Sequence, residues 1–491
     1  MSFKEAVEPI LVRLPAVASP EGHVHLKKKL LWTVGVLVLY LALSNVPLFG
    51  MSPESTDMFA MYRAFLAGQG GTLMLLGIGP IVTGSIILQL LVGAKVINLD
   101  LSDPRDQAIF QGTQKMLVFT MIIFTALPQV MGGYIEPSAT VASDLGVSLN
   151  AIVLLLLVQI CIGGALILFM DEIISKWGIG SGVGLFIVAG VSQQIFTGLF
   201  NWKLETGLGL PVGLIPRWVY MVQTGFGLPT GFINILLVTG LLALVSTVVI
   251  FLMVVFVEST RIEIPLAHSA VRGARGRFPV KLIYASVLPM ILVRALQANL
   301  QMIGIMLSNH GITILGEFGG ETGTTPLGGL MYYIAPIHSP YDWIPSLVVT
   351  EYASMGITLE VWQIVLHVLC DAVMLIGGGI IFALFWIETT GMGAKSVAQN
   401  IHRSGMQIPG FRRSPQSIER VMERYVPKVT IIGGAFIGAL TLFASLLGTV
   451  GQAGGTGLLL TVSIVYRLYE DLASEQLMEM HPMMRSFFGG T

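Results

Sequence analysis

The stretch from Gly77 to Leu91 reads GIGPIVTGSIILQLL. Its Ile, Val and Leu content suits a bilayer. Gly77, Gly79, Pro80, Thr83, Gly84, Ser85 and Gln89, however, are more small, polar and helix-weakening residues than a lipid anchor needs. A segment of that make-up is expected to line something. The chain around it has 491 residues, 54% hydrophobic and only 11% charged, with a mean hydropathy of +0.79. Soluble domains carry about 25% charged residues. Crossing the hydrocarbon core takes about 20 apolar residues. Runs of that kind lie near 30–49, 73–94, 115–133, 150–170, 182–199, 232–257, 282–308, 360–386, 428–448 and 454–469. The chain therefore reads as an all-α polytopic membrane protein with ten transmembrane helices.

Lys and Arg set the orientation. With the N-terminus cytoplasmic, inner segments hold 23 of the 27 Lys and Arg. Outer segments hold Arg63, Lys203 and Arg217, and Arg294 falls within a span. Outer loops carry ten Asp and Glu against only three Lys and Arg, so a net charge of −1 hides a polarised molecule. Residues 2–14, SFKEAVEPILVRL, place Val7, Ile10, Leu11 and Leu14 at helical spacing among charges, as in a helix lying on the membrane surface. The ten spans divide into two sets of five that start from opposite sides. In both sets the fifth span is short and Gly-rich at its start (GIGSGVGLF, GQAGGTGLLL). That pattern predicts two pseudo-symmetric five-helix halves, an inverted repeat, of the kind that surrounds a central pathway.

Catalytic signatures fail on inspection. GMGAKS (391–396) lacks the first glycine of a phosphate-binding loop and the glycine before Lys395. His367 and Asp371 stand one helical turn apart, but a metal site needs further ligands that no span supplies. Cys161 and Cys370 both lie in apolar runs. No enzyme activity, cofactor or metal is expected. Two inner segments, 258–281 and 387–427, are too large and basic for simple turns. Arg272, Arg275 and Arg277 mark the tip of the first, and Arg412 and Arg413 follow a Pro-Gly turn in the second. They read either as solvated or lipid-facing charge or as contacts to a large polyanion.

The segments LGIGPIVTGSIILQLLVG, RIEIPLAH, FWIETTG and GGTGLLLTVSIVYRLYE resemble those of the SecY family, the pore subunits of the Sec protein-conducting channel, in its archaeal form. The resemblance covers nearly the whole chain and is weakest in 200–231 and 309–359. It implies an hourglass channel with a surface helix in 1–29, halves at 30–199 and 232–469 hinged at 200–231, and a tail at 470–491. It further implies a constriction formed by Ile78, Val82, Val183, Ile187, Ile291 and Leu460. A plug at about 60–70 would include Met61, Tyr62, Arg63, Phe65 and Leu66, with Arg63 facing water or an acidic outer loop. A lateral gate between the second and seventh helices would be held by Thr83, Gln89 and Asn299. Implied partners are SecE and a Secβ/SecG-type subunit, a translating ribosome on the two basic loops, signal sequences and nascent polypeptides, and the lipid bilayer. The implied location is the plasma membrane, with both termini cytoplasmic.

Arg294 and Asp371 depart from what the resemblance leads one to expect. Counted from Lys281 and Trp386, they sit about 20 and 22 Å from the inner side at 1.5 Å per residue. Either they form an intramembrane ion pair joining two helices, or each faces the aqueous funnel separately. The intramembrane charges and the repeat also leave open a secondary transporter of a small solute.

Overall fold

The structure is a computed structural model. It describes residues 14–22, 24–53, 55, 57, 63–93, 96–97, 99, 103–132, 134–204, 209–225, 232–268, 275–281, 288–320, 323–390, 393–403, 406–407, 415–451 and 453–480. Among the described residues, ten helices form the bundle: α1 (Leu26–Leu43), α2 (Gly79–Gly93), α3 (Pro104–Met131), α4 (Leu149–Trp177), α5 (Gly182–Phe200), α6 (Leu241–Ser259), α7 (Leu288–Asn309), α8 (Val361–Thr389), α9 (Pro415–Leu447) and α10 (Gly454–Met480). Seven of them, α3 to α9, are each long and apolar enough to cross a bilayer. The alternation of ten helices gives the bundle a basic end, where α1 begins, and an acidic end, where α6 begins.

Local chemistry explains where the helices depart from the apolar runs. The second run starts at 73, but α2 starts at Gly79, because Gly71 and Gly77 take positive φ and residues 73–78 form turns. The third run starts at 115, but α3 starts eleven residues earlier. There Asp103 accepts from the Arg105 N–H and Pro104 opens the first turn. The sixth run is broken at Gly240 (φ +67), leaving a short helix Phe232–Val238 ahead of α6.

Helix neighbours repeat between the halves. In the first, α2 packs on α3, α3 on α4, α4 on α5, and α1 on α4 and α5. Adding five to each number gives contacts present in the second half: α7 on α8, α8 on α9, α9 on α10, and α6 on α9 and α10. Small residues allow the close approaches. A Cβ on Gly84 would stand 3.1 Å from Val118 Cγ2, and one on Gly434 only 2.8 Å from the Gly379 carbonyl.

The halves meet along two seams. On one side α2 lies against α7 and α8; on the other α10 lies against α5 and α1. The α1–α10 side is clasped at the basic end by Lys29 Nζ to Glu475 Oε1 at 2.6 Å. The Leu26 N–H also donates to Glu479 at 2.7 Å.

The fold is not wholly helical. β1 (Arg261–His268) and β2 (Arg275–Lys281) form an antiparallel hairpin, and β3 (Met406–Gln407) pairs with β1 at Ala267 and His268. Pro265 falls outside those two positions, so its missing N–H removes nothing from the ladder to β3. Expected as separate, the two basic loops are joined in one small sheet.

Candidate functional site

The six residues expected at a constriction come from both halves. Ile78 closes the turn before α2 and Val82 lies one turn on, Val183 and Ile187 are one turn apart in α5, and Ile291 and Leu460 lie near the starts of α7 and α10. All belong to or pack against one apolar cluster. Ile78, Ile187 and Leu460 are fully buried, and Ile291 and Val82 retain 2% and 5% exposure. Two cavities of about 370 and 260 Å3 open on the basic-end side and share Ser181, Leu288, Ile291 and Trp386 in their walls. Leu460 lines the larger, and Val82 and Val183 the smaller. Aliphatic side chains packed this tightly beside such cavities disfavour water and therefore ions.

A four-residue helix, Arg63–Leu66, packs against α5 and α10. Its carbonyl end is fastened on two sides: Leu66 O accepts from the Ile78 N–H at 2.7 Å, and Ala67 O from the Tyr40 hydroxyl of α1 at 2.7 Å. Gly77 exists for this contact. Its φ is +55, and a Cβ there would stand 2.1 Å from Leu66 O. Arg63 is 6% exposed, so it does not face water. Its Nε donates to Asp57 Oδ2 at 2.7 Å, a second guanidinium nitrogen reaches Asp57 Oδ1, and a third reaches the Leu75 carbonyl.

Across the α2–α7 seam, Asn299 Nδ2 donates to Thr83 Oγ1 at 3.0 Å and to its own helix at Ala295 O. Gln89 does not join them. It is 4% exposed, lines the smaller cavity, and its Oε1 takes no hydrogen bond among the described residues. Six residues beyond Thr83, it stands about 9 Å further along α2. A contact that the residue pattern missed joins the end of α7 to the segment after α3: Asn309 Nδ2 donates to the Tyr134 hydroxyl at 2.6 Å. Ser85, also in the Gly77–Leu91 stretch, accepts from Gln114 of α3 at 2.6 Å.

Arg294 and Asp371 are both fully buried and meet at 3.1 Å. Separate exposure to an aqueous funnel is thereby excluded. Arg294 also donates from Nε to Thr456 of α10 at 3.1 Å and from Nη2 to Ser445 of α9 at 3.2 Å. Its Nη1 reaches Gln297 Oε1 at 2.8 Å, and Gln297 Nε2 donates back to Asp371 Oδ1 at 3.0 Å. One guanidinium thus ties α7, α8, α9 and α10. The sequence offered one hint, a Gln three residues after the Arg; Ser445 and Thr456 carry no signal of their own.

Met61, Tyr62, Arg272, Arg412, Arg413 and the N-terminal segment 1–13 lie outside the described residues, as do the side chains of Phe65, Arg275 and Arg277.

The SecY family model matches residues 72–469, which is most of the chain. This chain belongs to the SecY family. A second model, for the plug domain of Sec61p, matches residues 38–71, from the end of α1 through the Arg63–Leu66 helix. Among relatives of the family, the protein translocase subunit SecY of Archaeoglobus fulgidus is 56% identical over 99% of both chains. That of Haloferax volcanii is 54% identical over the full length of both. Among solved structures, a protein-conducting channel superposes with a TM-score of 0.79 at 37% identity, covering 97% of this chain and 98% of that one. Sec61 from a canine ribosome–channel complex superposes with a TM-score of 0.76 at 37% identity and the same coverage. The SecY-family chain is accordingly a multi-pass membrane protein of ten helices.

Proposed function

We propose that this chain is the pore-forming subunit of a protein-conducting channel. It passes unfolded secretory polypeptides across the plasma membrane and releases apolar helices sideways into it. The observation that supports this reading is one buried aliphatic cluster: Ile78 just before α2, with Val82, Val183, Ile187, Ile291 and Leu460 from α2, α5, α7 and α10, lined in part by two cavities and beside the Arg63–Leu66 helix that packs on α5 and α10. A ring of such side chains yields to a polypeptide and closes to ions behind it. The Arg63–Leu66 helix acts as the plug, and the Thr83–Asn299 bond acts as a weak latch on the lateral gate. Gln89 serves the inner cavity rather than the latch.

The basic end is the cytoplasmic one, with both termini there, a reading supported by 23 inner against 3 outer Lys and Arg. Residues 30–199 and 232–469 move as two halves about 200–231. The chain has no catalytic role, so the driving force comes from outside. The sheet that joins the two basic loops brings Arg275 and Arg277 onto one element with the second loop. These two, with Arg272, Arg412 and Arg413 of the same two loops, are the residues assigned to contact ribosomal RNA. SecE and a Secβ/SecG-type small subunit complete the assembly.

The test is reconstitution with those subunits into proteoliposomes. Signal-dependent translocation of a secretory chain is the expected result; uptake of a small solute without polypeptide passage would replace the channel by a transporter.

A further inference from the structure

The link between the halves carries an apolar face of its own. The helix Leu214–Thr224 buries Leu214, Pro216 and Met221 against the protein and leaves Ile215, Val219 and Val222 exposed, at 38%, 38% and 85%. Those three recur at four and three residues, which is one stripe of a helix. Val212, Leu204 and Trp202 extend the exposed surface at 40%, 55% and 66%. From Thr206 to Phe232 the sequence holds one charged residue, Arg217, although this is a loop between spans. Even that charge is turned inward: Nε donates to Pro211 O at 2.9 Å and Nη1 to Val238 O at 3.2 Å.

The depth of this helix follows from its anchors. Trp218 Nε1 donates to Thr239 O at 2.7 Å, and Leu214 Cδ2 occupies the space where a Cβ on Gly240 would stand. Residues 238–240 directly precede α6, whose 19 residues span about 28 Å, close to the hydrocarbon thickness. The helix is therefore held level with the outer edge of the hydrocarbon. Its exposed stripe continues onto Phe196 and Phe200 at the end of α5, 64% and 44% exposed, where aromatic side chains suit the headgroup level.

We propose that Leu214–Thr224 lies in the headgroup–acyl boundary of the leaflet at the acidic end, with Ile215, Val219 and Val222 against lipid. The occupant of this face is lipid rather than a protein partner, because the stripe is continuous with apolar surface of the spans and carries no charge on the helix itself, exposed Lys203 standing at its edge. The connection between the halves is then held by the bilayer as well as by protein, whatever the bundle transports.

Nitroxide labels at Val219→Cys and Val222→Cys test this, in the assembled complex in nanodiscs, with Cys161→Ala and Cys370→Ala removing the native thiols. Val373→Cys on α8 (71% exposed) serves as the lipid reference and Ser143→Cys, beside Asp144, as the water reference. At 219 and 222, collisions with oxygen should exceed those with a water-soluble nickel chelate, at a depth of about 5–10 Å below the headgroups. Nickel-dominated collisions, as at 143, would overturn the proposal. So would labels shielded from both reagents, which would mean that a protein partner covers the face.

Discussion

Replacing Arg294 by Ala should destabilise the second half far more than losing any one of its neutral partners. Asp371 is fully buried, and after the change its carboxylate keeps only the Gln297 amide at 3.0 Å. A buried charge stripped of its partner costs about 3–5 kcal/mol. Ser445→Ala and Thr456→Val each remove one bond at 3.2 or 3.1 Å but leave the guanidinium paired. Such polar contacts between membrane helices average about 0.6 kcal/mol and reach about 1.7. Removing both charges together, as Arg294→Met with Asp371→Leu, should cost much less than the sum of the two single changes, because no unpaired charge is left. Unfolding of the complex in mixed detergent micelles, followed as a function of SDS fraction, gives each free energy and the coupling between them. Additive effects, or an Arg294→Ala loss no larger than that of Ser445→Ala, would refute the reasoning that a paired charge organises these four helices.

Three further outcomes follow from the same geometry. Asn299→Leu removes the bond to Thr83, and at about 0.6–1.7 kcal/mol it should shift the gate toward open by roughly three- to twenty-fold. Translocation of precursors with weakened signals should rise, and unchanged signal dependence would count against the latch. Gly77→Ala forces a Cβ to 2.1 Å from Leu66 O at a positive φ, so the Arg63–Leu66 helix must shift. Resting ion leak through reconstituted channels should increase, and an unaltered leak would mean the contact is not part of the seal. His338 is pushed down to about 3 by burial and, second, by the charge of Arg294. The unfolded chain takes up this proton near pH 6.5 and the folded one only near 3, so stability is lost as pH falls through that window. The loss is at most about 1.4 kcal/mol per pH unit. Nitrogen chemical shifts should show a neutral ring at about pH 5, between those two values; an imidazolium there would contradict the assignment.

The ten helices were readable because apolar length and the placement of Lys and Arg are properties of single segments. Contacts between distant segments were not. Nothing local announces that Met406–Gln407 adds a strand to a hairpin far earlier in the chain, since two residues carry no periodicity. The short start of α2 was partly visible in Gly77 and Pro80. The reason for Gly77, a carbonyl from the Arg63–Leu66 helix, was not. Thr83 stood out as a polar residue on an apolar helix, the family resemblance supplied Asn299, and the two do meet. Gln89 stood out in the same way but faces a cavity, because polarity marks a residue that avoids lipid without saying which neighbour it finds. Arg294 and Asp371 were conspicuous for the same reason. Their Ser and Thr partners were not, since Ser and Thr occur throughout membrane helices bonded to their own backbone.

The central claim is that a polypeptide passes through the aliphatic ring. A photo-crosslinking side chain placed at Ile291 or Leu460, and at lipid-facing Val373 as control, tests it with a secretory chain stalled during translocation. The account predicts crosslinks to the stalled chain from Ile291 and Leu460 and none from Val373. Crosslinks absent from the ring while the chain still crosses the membrane would contradict it.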